Sequence, residues 1–541
     1  MTSETVPKAS SGEYDVAILG AGIAGSMLGA VLARQGLRVL LLDAGLHPRF
    51  AIGESTIPYT STVAQIIAER YDVPEIAALS SFEAIRSQVS PMCGKKRNFG
   101  FVYHEEGKQQ DPAQVNQEVI PGQPEIHLYR QDVDAYFFYV AVRYGAEGRM
   151  ATRITDIDID PDRGVTLLAD GGEKFQAKYL VDGSGFRSPV AQKMNLRDSP
   201  TRARHHCRAM FTHMVGVTRF DDSTAGKKQH QPVPWHEGTL HHVFKGGWLW
   251  VIPFDNHEGA LSPLCSVGLQ LDERMFPKPD CTPQQEFDDF LRRYPEIAEQ
   301  FRDARTVRPW VSTGRLQYSA SNTIGDRYCL TSHAAGFIDA LYSRGLTNTV
   351  DIVNALSGRL IAAAREDDWS TERFRYIDRL QQGLFDVHDD MVYSSYVAFR
   401  NYDLWNAVIR VWKATSFMTW VPTQKALTEF RLGHGEGVFD ALERSATPGL
   451  PGPAGPDVAA LLEFTRNTCI AVDAGDKPAD VAAAEMWARL RATQCLPEPL
   501  GLANPANKTP ESNPELVKKV IAWGQQEAPE HIRPMFAGHI V

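Results

Sequence analysis

The chain runs to 541 residues, 43% apolar and 10% aromatic, which is enough to bury a large core and longer than one domain usually is, so a main domain with additions is expected. A net charge of -10 offers no basic stripe for nucleic acid and excludes that class of partner. Seven scattered cysteines without a CxxC pair fit a reducing cytoplasm rather than a disulfide framework.

The amino-terminal tail, MTSETVPKASSGEYD, lacks the basic start and apolar run of a signal peptide, and no run of about eighteen apolar residues follows. The sequence therefore reads as a soluble cytoplasmic protein with no membrane partner. YDVAILG then leads into AGIAGSMLGAVLARQGLRVLLLDAG, a strand, a glycine turn, a helix and a second strand. Gly20, Gly22 and Gly25 fill GxGxxG, and Asp43 closes the second strand about twenty residues on. Gly20 allows the turn, Gly22 lets backbone approach a pyrophosphate, Gly25 lets helix and strand pack closely, and Asp43 would accept from an adenosine ribose hydroxyl. The helix N-terminus adds amide donors for the phosphates. This unit alone leaves NAD and FAD open.

Next come GESTIP, with Glu54, Ser55 and Pro58, and GKKRNFGFVYH, with Lys95 and Lys96. By composition Lys95-Lys96-Arg97 is a solvated basic run; in extended structure its neighbours face opposite ways, so one of the two lysines alone can enter a cavity. In LYRQDVDAY, Arg130 stands before a helix within reach of a pyrophosphate, and Asp132 is placed to cap that helix. AKYLVDGSGFRSPVA is a strand running into Asp182 and Gly183, where backbone would meet the cofactor. IGDRYCLTSHAAGFIDALYSRGLTNT places a further strand before a glycine-containing turn and a helix. Both strands are expected to rejoin the first sheet, as in a glutathione-reductase-like FAD fold. A later cluster, LGHGEG, has no preceding strand and reads as a loop, which leaves one dinucleotide site and favours flavin.

Between these segments GGWLWVIPF sets Trp248 and Trp250 on one face of a strand and Leu249 and Val251 on the other. Pro253 cannot donate to a ladder, so the strand ends there or runs along an edge. Taken alone, the tryptophans are a buried aromatic pair. His205-His206 and His241-His242 lack metal-ligand spacing, so no metal is expected and the histidines read as structural. Beyond Asp351 the periodicity turns helical and rich in aromatics, and ATPGLPGPAGPD is a linker into a helical cap. The expected class is α/β, a glutathione-reductase-like FAD-binding fold with an inserted mixed β-sheet and a C-terminal helical subdomain. The FAD-binding parts are placed at 13–200 and 310–365, the insert at 201–309 and the helical part at 366–541.

GAGIAG together with WLWVIP, which fits WxWxIP, resembles the flavin-dependent halogenases. GESTIP, KRNFGFVYH, WHEGTLHH, CSVGLQLDER and SHAAGFID are most similar to the branch that includes the tetracycline halogenase and the arylpyrrole halogenase of pyrrolnitrin biosynthesis. The resemblance runs from about Tyr14 to about Tyr402. It implies an oxidoreductase of antibiotic biosynthesis in which FADH2, dioxygen and chloride or bromide yield hypohalous acid. That acid would cross to an electron-rich, freely diffusing aromatic. A separate flavin reductase would supply the FADH2.

On this resemblance Trp248 and Trp250 stand between flavin and arene, and Ile252 and Pro253 fix the end of that wall. Alignment through NFGF puts Lys96 at the catalytic lysine, either bonding hypohalous acid as an ammonium or carrying halogen as a free amine. Glu54 and Ser55 fall beside the flavin ring. The halide loop FxxPxxSxG corresponds to Phe337–Gly345, with Ser343, Arg344 and Gly345 as the anion cradle and Ala340 in place of the family proline. A plain helix N-cap at Ser343 reads almost as well. Tyr342 stands where tryptophan halogenases carry a glutamate, which points toward a phenol or pyrrole and away from free tryptophan. Two other readings share the fold: an aromatic hydroxylase that reduces its own flavin with NAD(P)H, and a flavin-binding protein without turnover.

Overall fold

Near-continuous apolar runs such as Val16–Leu19 and Val39–Leu42 suit strands buried on both faces, and they lie at the centre of a largely parallel sheet. The computed structural model describes residues 13–510 and 513–538; the tail segment 1–12, read above for a leader, lies outside them. Tyr14–Leu19 pairs in parallel with Val39–Leu42 on one side and Lys174–Asp182 on the other. Tyr328–Leu330 adds in parallel beyond Lys174–Asp182. The two strands expected to rejoin the first sheet therefore do so, and their C-terminal ends converge on the glycine turn.

A second eight-stranded sheet carries the tryptophans. Its neighbours run Cys207–Val215, Cys265–Asp272, Gly247–Pro253, Gly238–Phe244, Asn98–His104 and Val115–Val119. It is mixed because Asn98–His104 lies parallel to Gly238–Phe244. The sheet draws two strands from before residue 201 and Val311–Arg315 from after 309, so the 201–309 segment does not contain it whole. The cause is register: NFGFVYH forms a seven-residue ladder with GTLHHVF.

The strand Gly247–Pro253 is central rather than at an edge and ends at Pro253, which places the missing donor where the ladder stops. Alternation sends Trp248, Trp250 and Ile252 into one hydrophobic cluster and Leu249 and Val251 into another. Trp250 lies flat across the neighbouring strand because its partner there is Gly268, where an added Cβ would sit 2.0 Å from the indole.

From Arg344 onward long helices cover the sheets: Arg344–Glu366, Thr371–Ala398 and Tyr402–Arg431, followed by the shorter helices of the C-terminal part. LGHGEG is a turn leading into the helix Gly437–Glu443. Among the described residues no helix is long and apolar enough to cross a membrane. Gly268→Ala is expected to push Trp250 out of place at a cost of ~1–3 kcal/mol; a lowered thermal midpoint with an altered near-ultraviolet tryptophan dichroism checks it.

Candidate active site

The glycine turn is built as its spacing demands. Gly20 has a φ of 94° and touches the backbone of Gly183, and a Cβ on Gly25 would lie 2.0 Å from the Gly20 carbonyl oxygen. At Gly22 the nearest atom to an added Cβ is Asp134 Oδ2 at 4.0 Å, an open face suited to a pyrophosphate. Asp43 accepts from the amides of Ala21 and Gly45 at 2.7 Å and is clasped by Arg49. Burial opposes its ionisation, yet Arg49 and those amides hold its carboxyl below the usual range. These residues fit the adenosine and pyrophosphate part of FAD, with Arg49 a neighbour that the fingerprint does not encode.

Two expectations change in detail. Asp132 accepts from Ser90 Oγ at 2.6 Å and does not cap the helix Arg130–Arg143, whose N-cap position belongs to Tyr129. Asp182 turns its carboxylate into its own loop, accepting from Ser184 and Ser188, so that the Gly183 backbone alone faces the glycine turn. Arg130 is buried and forked on Asp134, and its remaining donor reaches the carbonyls of Ile52 and Gly53. It thereby ties the loop before GESTIP to the helix beside Gly22.

GESTIP is the thread that joins the parts. Glu54 accepts from His213 Nε2 at 2.7 Å on the second sheet. Ser55 Oγ and the Thr56 carbonyl accept from Lys96 Nζ at 2.7 and 2.8 Å. Ile57, Pro58 and Tyr59 line a cavity of about 890 Å³. Lys96 is 0% exposed, and its amine lies 3.8 Å from the centroid of Phe99, whose ring lines the same cavity. Lys95, one residue away, is half-buried and points elsewhere, as strand parity requires. Burial pushes the Lys96 amine well below the ordinary lysine range, against the pull of Glu125. Glu125, opposite Lys96 in the ladder, accepts from Ser61 Oγ. Neither Glu125 nor Ser61 carries a motif that a sequence reading could have seized on.

Trp248 and Trp250 pack at a tilt of 44° with centroids 5.6 Å apart in the middle of a chain of rings. On one side Trp250 meets Phe211, which meets Phe50 in the loop after Asp43. On the other Trp248 meets His241, which stacks on Phe99, which meets Trp412 at the cavity. Pro253 offers its carbonyl to His127 Nδ1, pinning the end of the wall to the strand opposite Lys96. The paired histidines separate: His241 joins this ring chain, whereas His242 bonds His104 and Gln300.

In the loop Phe337–Gly345, Ser343 occupies the N-cap of the helix Arg344–Glu366 in a left-handed conformation, and among the described residues its hydroxyl caps nothing. Gly345 lies against His333, whose ring nitrogen would be 3.1 Å from an added Cβ. Burial, opposed by Asp351 and Tyr59, lowers the Arg344 guanidinium from its ordinary range. Tyr342 is buried behind Trp412, ring centroids 4.8 Å apart, and bonds Ser395 Oγ. Asp339 gathers His205, Cys207 and Tyr396 on one carboxylate oxygen and the Leu341 amide on the other. His205, Cys207 and Asp339 are a buried trio of metal-ligating type, in which His205 and Cys207 both bond Asp339 Oδ2.

Residues 102–432 match the family described as tryptophan halogenase, and residues 18–62 match an NAD(P)-binding Rossmann-like domain. The chain is 45% identical to tetracycline 7-halogenase of Kitasatospora aureofaciens, over 99% of this chain and 98% of that one. It is 44% identical to monodechloroaminopyrrolnitrin halogenase PrnC of Pseudomonas fluorescens, over 97% and 95%. The chain belongs to the tryptophan halogenase family. Among solved structures, halogenase PltM in complex with phloroglucinol and FAD superposes with a TM-score of 0.87 at 33% identity, covering 92% of this chain and 99% of that one. The protein is thus an enzyme of the flavin-dependent halogenase class with FAD as its cofactor, and the glycine turn, Asp43 and the Gly183 backbone are the residues that would hold it.

Lys96→Met should leave flavin binding and the thermal midpoint near wild type while removing halogenated product, read by flavin absorbance and product mass spectrometry. A second expectation concerns Asp351, which burial raises to about 7 against the pull of Arg344 and Tyr59. The folded chain then keeps a proton that the unfolded chain releases, so this group's contribution to stability falls as pH rises from about 4 to about 7. Asp351→Asn should accordingly gain thermal midpoint over wild type on going from about pH 5 to about pH 8.

Proposed function

We propose that this enzyme chlorinates or brominates an electron-rich, freely diffusing aromatic, a phenolic polyketide or an arylpyrrole, with FADH2 delivered by a separate flavin reductase. The observation that carries the reading is the position of Lys96: a fully buried amine with one face of Phe99 beside it and a cavity of about 890 Å³ lined by Phe99. Bound FAD, once reduced, supplies with dioxygen the oxidising power that turns halide into hypohalous acid. The chain's own residues do the rest. The amides at Ser343, Arg344 and Gly345 replace water around the halide without adding a full countercharge. Trp248 and Trp250, with Ile252 and Pro253 closing the strand, keep the arene away from the flavin and so suppress oxygen transfer to the ring. Lys96, positioned by Ser55 and Thr56, holds hypohalous acid on its way to the cavity.

Relatives that act on tetracycline and pyrrolnitrin precursors, by their names, support an electron-rich substrate. So does Tyr342, which fills the glutamate position with a buried phenol and leaves no carboxylate there to stabilise a poorer ring. A cytoplasmic location accords with seven free thiols, all among the described residues.

The test is incubation with a flavin reductase, NADH, FAD and either chloride or bromide across an arene panel, read by mass spectrometry. A halogen isotope pattern on a phenol or arylpyrrole is expected, and none on free tryptophan. Hydroxylated product in the presence of halide, or reduction of bound flavin by NADPH without the reductase, would overturn the reading in favour of a hydroxylase.

A further inference from the structure

The cavity is lined mainly by apolar side chains, among them Phe99, Trp412, Phe417 and Trp420, yet it contains one ion pair, Lys413 with Glu118. Lys413 Nζ lies 2.5 Å from Glu118 Oε2, with side chains 12% and 30% exposed. An ion pair taken out of water seldom gains over apolar residues of the same shape, and here it interrupts a surface that is otherwise well suited to a flat ring. Its placement is specific. Glu118 is the direct cross-strand partner of Phe99, so its side chain rises from the same face of the sheet as the ring that separates Lys96 from the cavity. Lys413 follows Trp412 on the facing helix, and Trp412 meets Phe99 at a tilt of 45° and stacks flat on Tyr342.

We infer that Glu118 and Lys413 are the polar subsite that recognises an acidic ring hydroxyl of a multi-ring arene, and that Glu118 accepts the hydroxyl proton during halogen transfer. This rests on the halogenase reading and names the substrate's chemistry within it. A phenolic O–H donates to Glu118 and accepts from Lys413, which anchors the substrate by its oxygen and presents the ring beside Phe99. The ring carbon then uses a π pair to form the carbon–halogen bond while the halogen–oxygen bond of hypohalous acid breaks and hydroxide leaves. The hydroxyl proton moves to Glu118, giving a neutral dienone in place of a cation. The displaced ring hydrogen leaves as a proton and makes water of the hydroxide, and Glu118 returns its proton to the product oxygen. A carboxylate thereby serves the ring from the strand opposite the halide loop, in a chain that has Tyr342 in the loop itself. Burial lowers the Lys413 amine against the pull of Glu118.

The test uses full-length protein, a dihydroxynaphthalene and its dimethyl ether. Binding is followed by quenching of tryptophan fluorescence, and turnover with reductase, FAD and bromide by mass spectrometry. Wild type should bind the diol about tenfold or more tightly than the ether, the range for a hydrogen bond to a charged group. Glu118→Gln should erase that preference and lower diol bromination by about 10²-fold or more, the lower range for a lost general base, with flavin binding and the yield of free hypobromous acid, trapped by a diketone, unchanged. Glu118→Asp should restore part of the rate. The double variant Glu118→Gln with Lys413→Met removes the charge that the single variant leaves unpaired, so a folding defect in the single variant is bypassed. Equal binding of diol and ether by wild type, or diol bromination by both variants at the wild-type rate, overturns the inference. Absence of brominated diol and of free hypobromous acid from wild type would instead overturn the halogenase reading, and the binding comparison still decides the subsite.

Discussion

A fully buried lysine amine is the constraint around which the site is arranged. Moving an ammonium into the interior costs several kcal/mol even after relaxation, and an amine there is driven toward its neutral form. What surrounds Lys96 compensates without abolishing that pressure. Ser55 and Thr56 supply two acceptors, Phe99 supplies a π face, and Glu125, the cross-strand partner, supplies a carboxyl group that burial pushes above its usual range. A direct, close carboxylate would have fixed a permanent ammonium. Two neutral acceptors and a ring leave the amine able to give or keep its proton.

That arrangement explains why so short a segment as GESTIP does so much. Its residues face in turn the second sheet through His213, the amine through Ser55 and Thr56, and the cavity through Ile57, Pro58 and Tyr59. Arg130 holds the start of the segment and Pro58 opens the helix Pro58–Arg70 at its end, so the backbone between them has little freedom. The tryptophan strand answers it from across the interface. Its parity sends both indoles to the same side, Gly268 lets the second lie flat, and Pro253 stops the ladder where His127 can take hold of it. The wall and the amine are therefore registered to each other through Pro253, His127 and the ladder Lys96–Glu125.

How much of this was legible follows from range. The glycine turn, the parallel strands and the shared face of Trp248 and Trp250 follow from spacing within a few residues, and the sequence is enough for each. Lys96 over Lys95 followed from parity combined with the resemblance through NFGF. Contacts between distant segments gave no such signal. Asp43 is shared with Arg49 because a loop folds back on it, and Asp132 is drawn to Ser90 because the helix start already has Tyr129 at its cap. The second sheet crosses the sequence boundaries proposed for an insert because strand pairing follows register and burial and takes no account of order along the chain. Glu118 with Lys413 was beyond reach for the same reason: one sits on an edge strand and the other on a helix, and neither belongs to a motif.

The loop Phe337–Gly345 shows how a backbone without a proline at Ala340 can be held by chemistry elsewhere. With Ala340 in place of proline the backbone loses a fixed φ, and the same loop must hold Tyr342 and Ser343 in left-handed conformations at φ of 73° and 55°, each costing ~1–3 kcal/mol for a residue with a side chain. Such strain persists where the surroundings over-determine it. Asp339, 0% exposed, does this with four hydrogen bonds to one carboxylate: the Leu341 amide from inside the loop, and His205, Cys207 and Tyr396 from the sheet and the helix behind it. Burial opposes its ionisation, but His205 and the other donors hold the carboxyl below its usual range, so the anchor stays charged and fully bonded. Tyr342 adds a second fastening through Ser395 and the face of Trp412. Rigidity that a proline ring would concentrate at one position is here distributed over a buried acid and a buried phenol, each bonded to a different element behind the loop.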